Sequence, residues 1–269
     1  MKEEGSLTVT QAQFRNMLDV TTVGYHDEVY LNIDNGRVRL LAGTPGASAG
    51  TYVDFVEAYF ESVDGSTEAY FDANEVFSYV DLVSESSSNE LEVSFLGTES
   101  DRLASKVEIR PATEASDFEV SMMLPSGSSV IESVPGNLPG RFNKDHVLMT
   151  APPGEDERPL ACHIETDFSQ LNKIVNAVSL REELDYYPVV VQDGNFRLDV
   201  GSEESEKINA ILNGSVEGPD VSNSYGGHFK ETTSTLSGSV EMYLDKGGPL
   251  QILQKKSHAT IRHLYGNAG

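Results

Sequence analysis

Residues 125–159 divide the chain into two halves that are ordered alike. This stretch is rich in Pro, Gly and Ser and keeps neither a helical nor a strand repeat, so it predicts a connector. On each side the pattern gives one amphipathic helix, then strands, a second helical stretch and further strands. We therefore interpret the chain as an internal duplication, with domains at 1–124 and 160–269 joined by the connector.

The first half contains two helix starts and several alternating stretches. Thr10 opens one helix and Asp72 another, and each is followed three residues later by Gln or Glu, the spacing of a capping box. Asn35-Gly36 predicts a hairpin turn, because both residues tolerate positive φ. The remaining pattern predicts a turn at 61–66 and strands at 28–33, 37–41, 52–60, 90–96, 106–110 and 117–124.

The second half repeats this order. Asp167 opens a third helix, again with Gln three residues later, and Asp193-Gly194 predicts a second hairpin. A weaker helical stretch at 229–236 is rich in Thr and Ser. Strands are expected at 187–191, 195–200, 207–213, 239–244, 250–254 and 260–265. Each half is thus mostly antiparallel sheet with helices on one face, which predicts an α+β fold of two similar domains.

Acidic residues are spread along the whole chain. Asp and Glu number 43 against 19 Lys and Arg, a formal net charge of -24. A disordered acidic tail does not explain this, because the acids are dispersed and 38% of the residues are hydrophobic. Very high intracellular salt does, since the Debye length falls to ~3 Å at 1 M and repulsion between surface carboxylates is screened. We interpret the chain as halophilic, with an ordinary acidic protein as the alternative.

Signals for secretion, membranes and catalysis are missing from the sequence. No apolar run follows Met1, and no apolar stretch approaches the ~20 residues that span a bilayer, so we expect a cytoplasmic protein without membrane contact. Cys162 is the single cysteine, which excludes a disulfide framework. It adjoins His163, but adjacent residues of a strand point to opposite faces. Without a Gly-rich phosphate loop or a nucleophile elbow, we expect no enzyme, no catalytic residue, no metal and no cofactor.

Three segments carry a family signal. Residues 239–252 (SVEMYLDKGGPLQI) give a strand, a turn, Pro-Leu and a strand, residues 261–266 (IRHLYG) give a closing strand, and residues 71–77 (FDANEVF) open the second helix. In order and spacing these segments resemble the sliding clamp family, the proliferating cell nuclear antigen type of archaea and eukaryotes, over nearly the whole chain. The connector is longer than usual, the second helix lacks the family's basic residues, and Tyr265-Gly266-Asn267 replaces its usual Leu-Ala-Pro. With the acidic composition, the resemblance implies a divergent member from a haloarchaeon or a virus of haloarchaea.

The resemblance implies a DNA sliding clamp, a homotrimer closed head to tail around duplex DNA with helices towards the hole. Its partners would be DNA polymerase, other proteins with clamp-binding peptides, and a clamp loader. The subunit contact would pair residues 117–124 of one chain with residues 207–213 of the next, because a closed ring leaves neither edge strand unpaired. The interface residues would be Phe118, Val120, Met122, Ile208, Ala210 and Leu212. The alternative is a structural or virion protein of two β-rich domains without clamp activity.

An acidic clamp needs a local surface that tolerates phosphates, because phosphate affinity comes from Lys and Arg. On the third helix, the face away from the apolar stripe carries amides and Lys173 but no acid. The first helix carries Arg15 beside Asp19, whereas the second presents Asp81. The candidate DNA-binding residues are Arg15, Lys173, Arg181 and Lys230. The alternative is a solvated helix face with incidental bases.

Partners of this family insert a short aromatic-anchored peptide beneath the connector. The resemblance places the pocket between the connector and the end of the last sheet, at Val130, Ile131, Pro249, Leu264 and Tyr265. Apolar residues in an otherwise polar connector support this, although they would also suit fixing the connector to the sheet. The basic residues between Lys255 and His263 have three candidate neighbours: DNA, a partner protein, or an acidic group on their own surface.

Overall fold

The computed structural model describes residues 2–23, 26–44, 49–84, 89–98, 102–112, 118–127, 138–151, 156–179, 186–200, 208–212, 214–226 and 228–268. The chain divides into two compact units. Unit 1 contains residues 1–45, 51–133 and 256–261, and unit 2 contains residues 46–50, 134–255 and 262–269. Each unit therefore takes in short segments from distant parts of the sequence.

Unit 1 combines antiparallel strands with two helices. In chain order the elements are β1 (Lys2–Thr10), α1 (Gln11–Thr22), β2 (Glu28–Asp34), β3 (Arg37–Gly43), β4 (Ala49–Phe55), β5 (Ser62–Asp72), α2 (Ala73–Ser84), β6 (Glu90–Gly97), β7 (Lys106–Pro111) and β8 (Val120–Met123). A 3-10 helix, Glu57–Tyr59, follows β4. The strands lie in the order β4-β3-β2-β5-β1-β6-β7-β8.

Strand β5 changes its partner along its length. Residues 62–65 pair with β1, and residues 66–72 pair with β2. Gly65 lies at this change with a φ of +76°, and a Cβ at this position would lie 2.2 Å from the carbonyl oxygen of Glu4, so the bend requires glycine. The turn predicted at 61–66 is therefore wrong, because the chain bends within a strand here instead of reversing.

Unit 2 contains the remaining elements. They are β9 (Met149–Thr150), β10 (Arg158–Pro159), β11 (Cys162–Asp167), α3 (Phe168–Ser179), β12 (Tyr186–Gln192), β13 (Asn195–Val200), β14 (Ile208–Leu212), β15 (Gly214–Glu217), β16 (Val221–Gly226), α4 (Phe229–Thr235), β17 (Ser239–Leu244), β18 (Leu250–Lys255) and the end of β19 (Ala259–Tyr265). Four strands lie in the order β15-β11-β17-β18, and a second sheet has the order β14-β13-β12-β16.

The strand pairing of unit 1 recurs in unit 2. β1 pairs with β5 and β6, and β11 pairs correspondingly with β15 and β17. β2 pairs with β3 and β5, and β12 pairs with β13 and β16, so β15 and β16 together correspond to the bent β5. This repetition confirms the predicted α+β fold with two similar halves.

Each unit has its own apolar core beneath its helices. In unit 1, α1 buries Phe14, Met17 and Leu18. In unit 2, α3 buries Leu171 and Val175. Full burial of one such side chain contributes ~1.5–3 kcal/mol, so the apolar stripe fixes which side of each helix is left facing outwards.

Candidate nucleic-acid interface and docking surfaces

Polar side chains fix the first turns of the unit 1 helices. Thr10 accepts a hydrogen bond from the backbone N–H of Gln13 at 3.2 Å, and the Gln13 side chain accepts one from the Thr10 N–H at 3.0 Å, which completes the predicted capping box. Asp72 Oδ1 accepts hydrogen bonds from the N–H groups of Asn74 at 2.8 Å and Glu75 at 3.1 Å. These caps set where α1 and α2 begin and therefore which residues face outwards.

The outer face of unit 1 carries an ion pair between α1 and α2. The Arg15 guanidinium binds the Asp81 carboxylate, with side chains 36% and 54% exposed, and lies 5.4 Å from the ring centre of Phe77. The side-chain amide of Gln11 donates a hydrogen bond to the same carboxylate at 3.4 Å. Asp19 on this helix is exposed, yet partial desolvation by its neighbours raises the pKa of its carboxyl, and Arg15 acts in the opposite direction.

Helix α3 presents a different outer face. Asp167 caps it by accepting a hydrogen bond from the Ser169 N–H at 2.8 Å, and hydrogen bonds from Ser169 hold the pKa of Asp167 below its ordinary value. Lys173 and Asn176 are exposed, and the Asn176 side chain donates to Asn172 Oδ1 at 3.0 Å. The helix contains no acid, whereas 12 residues at the chain's average acid density would contain about two.

Helix α4 packs beside α3 in unit 2 and is short. Its Thr-rich sequence predicted a weak helix, yet Thr232 and Thr233 are buried in it. Their hydroxyl groups donate to the carbonyl oxygens of His228 at 3.1 Å and Lys230 at 2.9 Å, so the buried oxygens have partners within the helix. Lys230 and Glu231 are exposed at the start of the helix.

The structure places three of the four predicted DNA-binding residues on helices. Arg15 lies half-buried on α1, Lys173 is exposed on α3 and Lys230 is exposed on α4. Arg181 lies outside the described residues. The sequence did not reveal that Asp81 binds Arg15, because the two residues are far apart in the chain and only the packing of α1 against α2 brings them together.

Strands β8 and β14 are edge strands of the described structure. β8 pairs with β7, and β14 pairs with β13. The predicted interface residues Met122 and Leu212 lie on these strands but are only 7% and 4% exposed, so an edge contact there would use their backbone groups. The outward apolar side chains are Met123, 65% exposed, and Ile211, 60% exposed. In the sequence, both residues are recognisable as apolar residues that break the alternation of apolar and polar side chains along their strands.

The other predicted interface residues lie on or beside the same strands. Phe118 precedes β8 and is 41% exposed, and Val120 is half-buried at the start of β8. Ile208 and Ala210 belong to β14. Their side chains lie outside the described part of the structure.

β4 and β14 hold corresponding positions, next to β3 and β13, but their outer edges differ. In unit 1, residues 256–261 lie along the end of β4: the Val56 N–H donates to the His258 carbonyl at 3.1 Å, and Ala259 and Ile261 join the core. No described segment of unit 2 covers the outer edge of β14 in this way. Among the described residues, the backbone groups along this edge of β14 have no strand partner.

The opposite edge of the same sheet is covered by the chain itself. Asn267 forms a bridge with Tyr225 on β16, and the Ala268 N–H donates to the Ser224 carbonyl at 2.8 Å. The Asn267 side chain accepts a hydrogen bond from the Ser224 N–H at 3.3 Å. Of the two edges of this sheet, β14 is the one without such cover among the described residues.

Residues 142–148 of the connector are held by Gln251 and Arg262. Gln251 donates to the His146 carbonyl and accepts from the Leu148 N–H, both at 2.7 Å. Arg262 is 2% exposed, donates to His146 Nδ1 at 2.6 Å and lies over the Phe142 ring at 4.7 Å. One arginine of the predicted basic stretch therefore contacts the connector within its own unit.

The turn ahead of Pro249 is fixed from beneath. Asn223 donates to the Asp245 carbonyl at 2.7 Å and accepts from the Gly247 N–H at 2.9 Å. Arg158 binds the nearly buried Asp245 carboxylate at 2.7 Å. Pro249 itself is half-buried and open to solvent on one side.

The predicted peptide pocket is described in part. Pro249 and Leu264 are half-buried, whereas Tyr265 is 1% exposed and packs its ring 5.5 Å from that of Phe229 in the unit 2 core. Val130 and Ile131 lie outside the described residues. Within the described part, Pro249 and Leu264 are the predicted pocket residues whose side chains reach the surface.

Cys162 and His163 lie on opposite faces of β11, as strand alternation requires. Burial raises the pKa of the Cys162 thiol to about 11. His163 stacks on Tyr243 at 4.6 Å and lies 3.5 Å from Glu241. Burial acts to raise the pKa of Glu241, but hydrogen bonds from Tyr243 and Lys255 outweigh it and lower that pKa. Lys255 thus has an acidic neighbour on its own surface, at 2.9 Å.

Among the described residues, no group of three or more His, Cys, Asp or Glu side chains is arranged to hold a metal ion. None of the helices within those ranges combines the length and the apolar character needed to cross a membrane.

Comparisons with known proteins identify the fold. The sequence matches no protein-family model and no curated protein. Among solved structures, it is similar to A. fulgidus PCNA with the C-terminal region of FEN-1 bound, at TM-score 0.66, 14% identity and 98% coverage of both chains. It is also similar to Proliferating Cellular Nuclear Antigen from Entamoeba histolytica, at TM-score 0.68 and 10% identity, with 100% of both chains covered. The PCNA2-PCNA3 complex from Sulfolobus tokodaii is similar at TM-score 0.60 and 13% identity, with 98% of this chain and 99% of that chain covered. The chain has the sliding-clamp fold.

Proposed function

We propose that this protein is a DNA sliding clamp, a non-enzymatic processivity factor that encircles duplex DNA and tethers replication and repair proteins to it. The observation that carries the proposal is the likeness to PCNA structures along almost the full length of both chains. The acid-free outer face of α3, in a chain of net charge -24, supports the same function. The mechanism is topological, so no side chain performs covalent chemistry.

The ring would be a homotrimer closed through the two edge strands. β8 of one chain would pair with β14 of the next, and each pairing would satisfy backbone groups that the described residues leave open. Within each chain, residues 125–159 would connect domains 1–124 and 160–269. Of the predicted interface residues, Phe118, Val120 and Met122 would lie on one side of the contact and Ile208, Ala210 and Leu212 on the other.

Light scattering after gel filtration in molar KCl tests the ring. We expect a mass of about three times 29.3 kDa. Ile211→Lys and Met123→Lys should each give monomers, because a lysine on an edge strand opposes edge pairing. Tyr186→Lys is the matched control, since Tyr186 is 55% exposed but lies on β12, which has a neighbour on both sides. A wild-type protein that is monomeric at every concentration would contradict the proposal.

Retention on circular DNA tests the topological mechanism. Protein assembled on a gapped circular duplex should stay with the DNA through gel filtration and be lost once the circle is cut. Equal retention on circular and linear DNA would indicate ordinary binding and exclude a clamp. No retention on either, with a monomeric protein, would favour the structural or virion alternative.

We also propose that clamp-binding peptides of a DNA polymerase and other partners dock at Val130, Ile131, Pro249, Leu264 and Tyr265, and that a clamp loader acts on the ring. The A. fulgidus PCNA is described with the C-terminal region of FEN-1 bound, and a bound peptide of that kind is the model for this site. Leu264→Asp should abolish binding of an aromatic-anchored peptide in calorimetry. Leu82→Asp, at an exposed leucine on α2, is the control and should leave binding unchanged.

A cytoplasm at high salt, in a haloarchaeon or a host infected by its virus, is the proposed setting. The charge of -24 supports it, because screening removes self-repulsion only when the Debye length is short. The thermal midpoint should therefore rise steeply between 0.1 M and 2 M KCl. A midpoint that does not change with salt would contradict the halophilic assignment and leave the clamp proposal intact.

A further inference from the structure

The candidate cations on α1 and α3 have opposite surroundings. Arg15 is bound to Asp81 and stacked on Phe77, so its guanidinium is already engaged on the outer face of unit 1. Lys173 is exposed on a helix whose sequence contains no acid, and it interacts electrostatically with Asp167 at the helix cap. Arg15 is therefore engaged in an ion pair across two helices, whereas Lys173 is an exposed cation near a helix N-terminus.

We propose that Asp81 takes the place of a DNA phosphate at Arg15, so that the α1–α2 face is withheld from nucleic acid while Lys173 and Lys230 supply the phosphate contacts. This inference rests on the proposed clamp function. It assigns a role to Asp81, a residue that limits how tightly the helices hold DNA.

The chemistry of the pair supports this assignment. Carboxylates and phosphates are alternative ligands for a guanidinium, and both accept its N–H groups in the same forked geometry. Asp81 lies on the helix packed against α1, whereas a phosphate would have to arrive from solution. The Gln11 amide donates to the same carboxylate at 3.4 Å, and the Phe77 ring centre lies 5.4 Å from the guanidinium. Both members of the pair are thus oriented towards each other before DNA approaches.

Electrostatic repulsion between the carboxylates of α1 and α2 and the DNA phosphates would also weaken DNA contact at this face. An acid 54% exposed on a surface that faces DNA repels phosphates as well as occupying the arginine. Glu75 is a second exposed acid on α2, and Asp19 is exposed on α1. The exposed residues described on α3 are a serine, a lysine and an asparagine, which repel no phosphate, while α4 carries the exposed acid Glu231 beside Lys230.

The Arg15–Asp81 pair would affect how easily the ring slides along DNA. Each phosphate contact that a protein makes strengthens binding and steepens its loss with salt. A ring that is retained by its closed shape needs no such grip, and extra contacts would slow its sliding. Asp81 would keep Arg15 from adding one, so that contact is confined to α3 and α4.

Affinity for a short linear duplex, measured by fluorescence anisotropy across a range of KCl concentrations, tests the proposal. Asp81→Asn removes the competing charge with little change of shape and should bind about two- to fivefold more tightly, the range expected for breaking an exposed ion pair. Its plot of log affinity against log salt should steepen by ~0.9, one added phosphate contact. Glu75→Gln is the matched control, since it removes one acid from the same helix without contacting Arg15.

A double variant assigns the effect to Arg15. In Arg15→Gln/Asp81→Asn the steeper salt dependence should disappear, because no guanidinium is left to be released. If Asp81→Asn gains no more than Glu75→Gln, or if the double variant keeps the steeper slope, the inference is overturned. Retention of the wild type on circular DNA is measured in parallel, so this result separates failure of the inference from failure of the clamp function. If no variant binds linear DNA and the wild type is not retained on circles, both fail.

Discussion

The helices of unit 1 and those of unit 2 share a plan on the side facing the core and differ on the side facing away. α1 and α3 each have 12 residues, follow a strand directly, begin at a polar cap and bury an apolar stripe. Their outer faces diverge: Arg15 is paired with Asp81 in unit 1, whereas in unit 2 Lys173 is exposed on a helix without acids of its own and interacts electrostatically with the capping Asp167. The repeated scaffold therefore leaves the outer face free to differ between the units, and the proposed difference in DNA contact would reside there.

The buried sides should respond alike to the same change. Leu18 on α1 and Leu171 on α3 are both 0% exposed. Replacing either with Ala removes a packed side chain and leaves a cavity, so each variant should lose about 2–5 kcal/mol of unfolding free energy. Urea unfolding in molar KCl measures both. A loss below about 1 kcal/mol in one variant alone would show that the two cores are not equivalent.

The stability that the N-cap contributes should depend on pH for α3 but not for α1. Thr10→Ala on α1 should lose about 1 kcal/mol at any pH, because the hydroxyl cap carries no charge. Asp167 has a folded-state pKa below its ordinary 3.8, so its stabilisation is full above that value and is lost as pH falls through the lowered pKa. Asp167→Ala should therefore be less stable than wild type at pH 7, with the deficit shrinking in strong acid. Urea midpoints from pH 7 down to about pH 2 check this, because the loss falls below the ordinary pKa; a constant deficit for Asp167→Ala over that range would contradict it.

Local signals were sufficient for much of the fold. The capping box at Thr10, the Asn35-Gly36 turn and the Asp193-Gly194 turn appear as predicted, with positive φ at all four turn residues. These features depend on residues close in sequence, whose preferences no distant contact overrides. The duplication was readable for the same reason, since both halves repeat the same local order.

Features that depend on packing were not predictable from the sequence. β1, β11, β15 and β16 carry few apolar residues, so no alternation marked them, and the expected strand at 52–60 ends at Phe55 before a 3-10 helix. The turn predicted at 61–66 includes Gly65. The role of this glycine is to allow close approach to Glu4, which exists only when β1 lies alongside β5, so the sequence could not show it. The Arg15–Asp81 pair and the contact of Arg262 with His146 likewise join residues far apart in sequence. Only the positions of exposed cations, not their partners, could be read from the chain.

The outer faces should differ in their effect on DNA binding. Lys173→Gln should lower the magnitude of the salt slope by ~0.9, because it removes one phosphate contact. Arg15→Gln should leave the slope almost unchanged, since Arg15 is engaged by Asp81. Anisotropy with a short duplex at several KCl concentrations measures both slopes. Equal slopes for the two variants would remove the proposed asymmetry between the helix layers while leaving the fold comparison in place.

The smallest expected effect comes from making α3 resemble α2. Asn176→Asp changes one exposed amide to a carboxylate of nearly the same shape, beside Lys173 on the acid-free face. Repulsion of phosphate at such an exposed site should weaken DNA binding by less than about twofold in molar salt and by more at 0.1 M, as the Debye length grows to ~10 Å. Ser78→Asp on α2 is the matched control and should have even less effect, because acids already occupy that face. If Ser78→Asp weakens binding as much as Asn176→Asp, then both layers contact DNA, and the contrast between paired Arg15 and exposed Lys173 has no bearing on how the protein holds it.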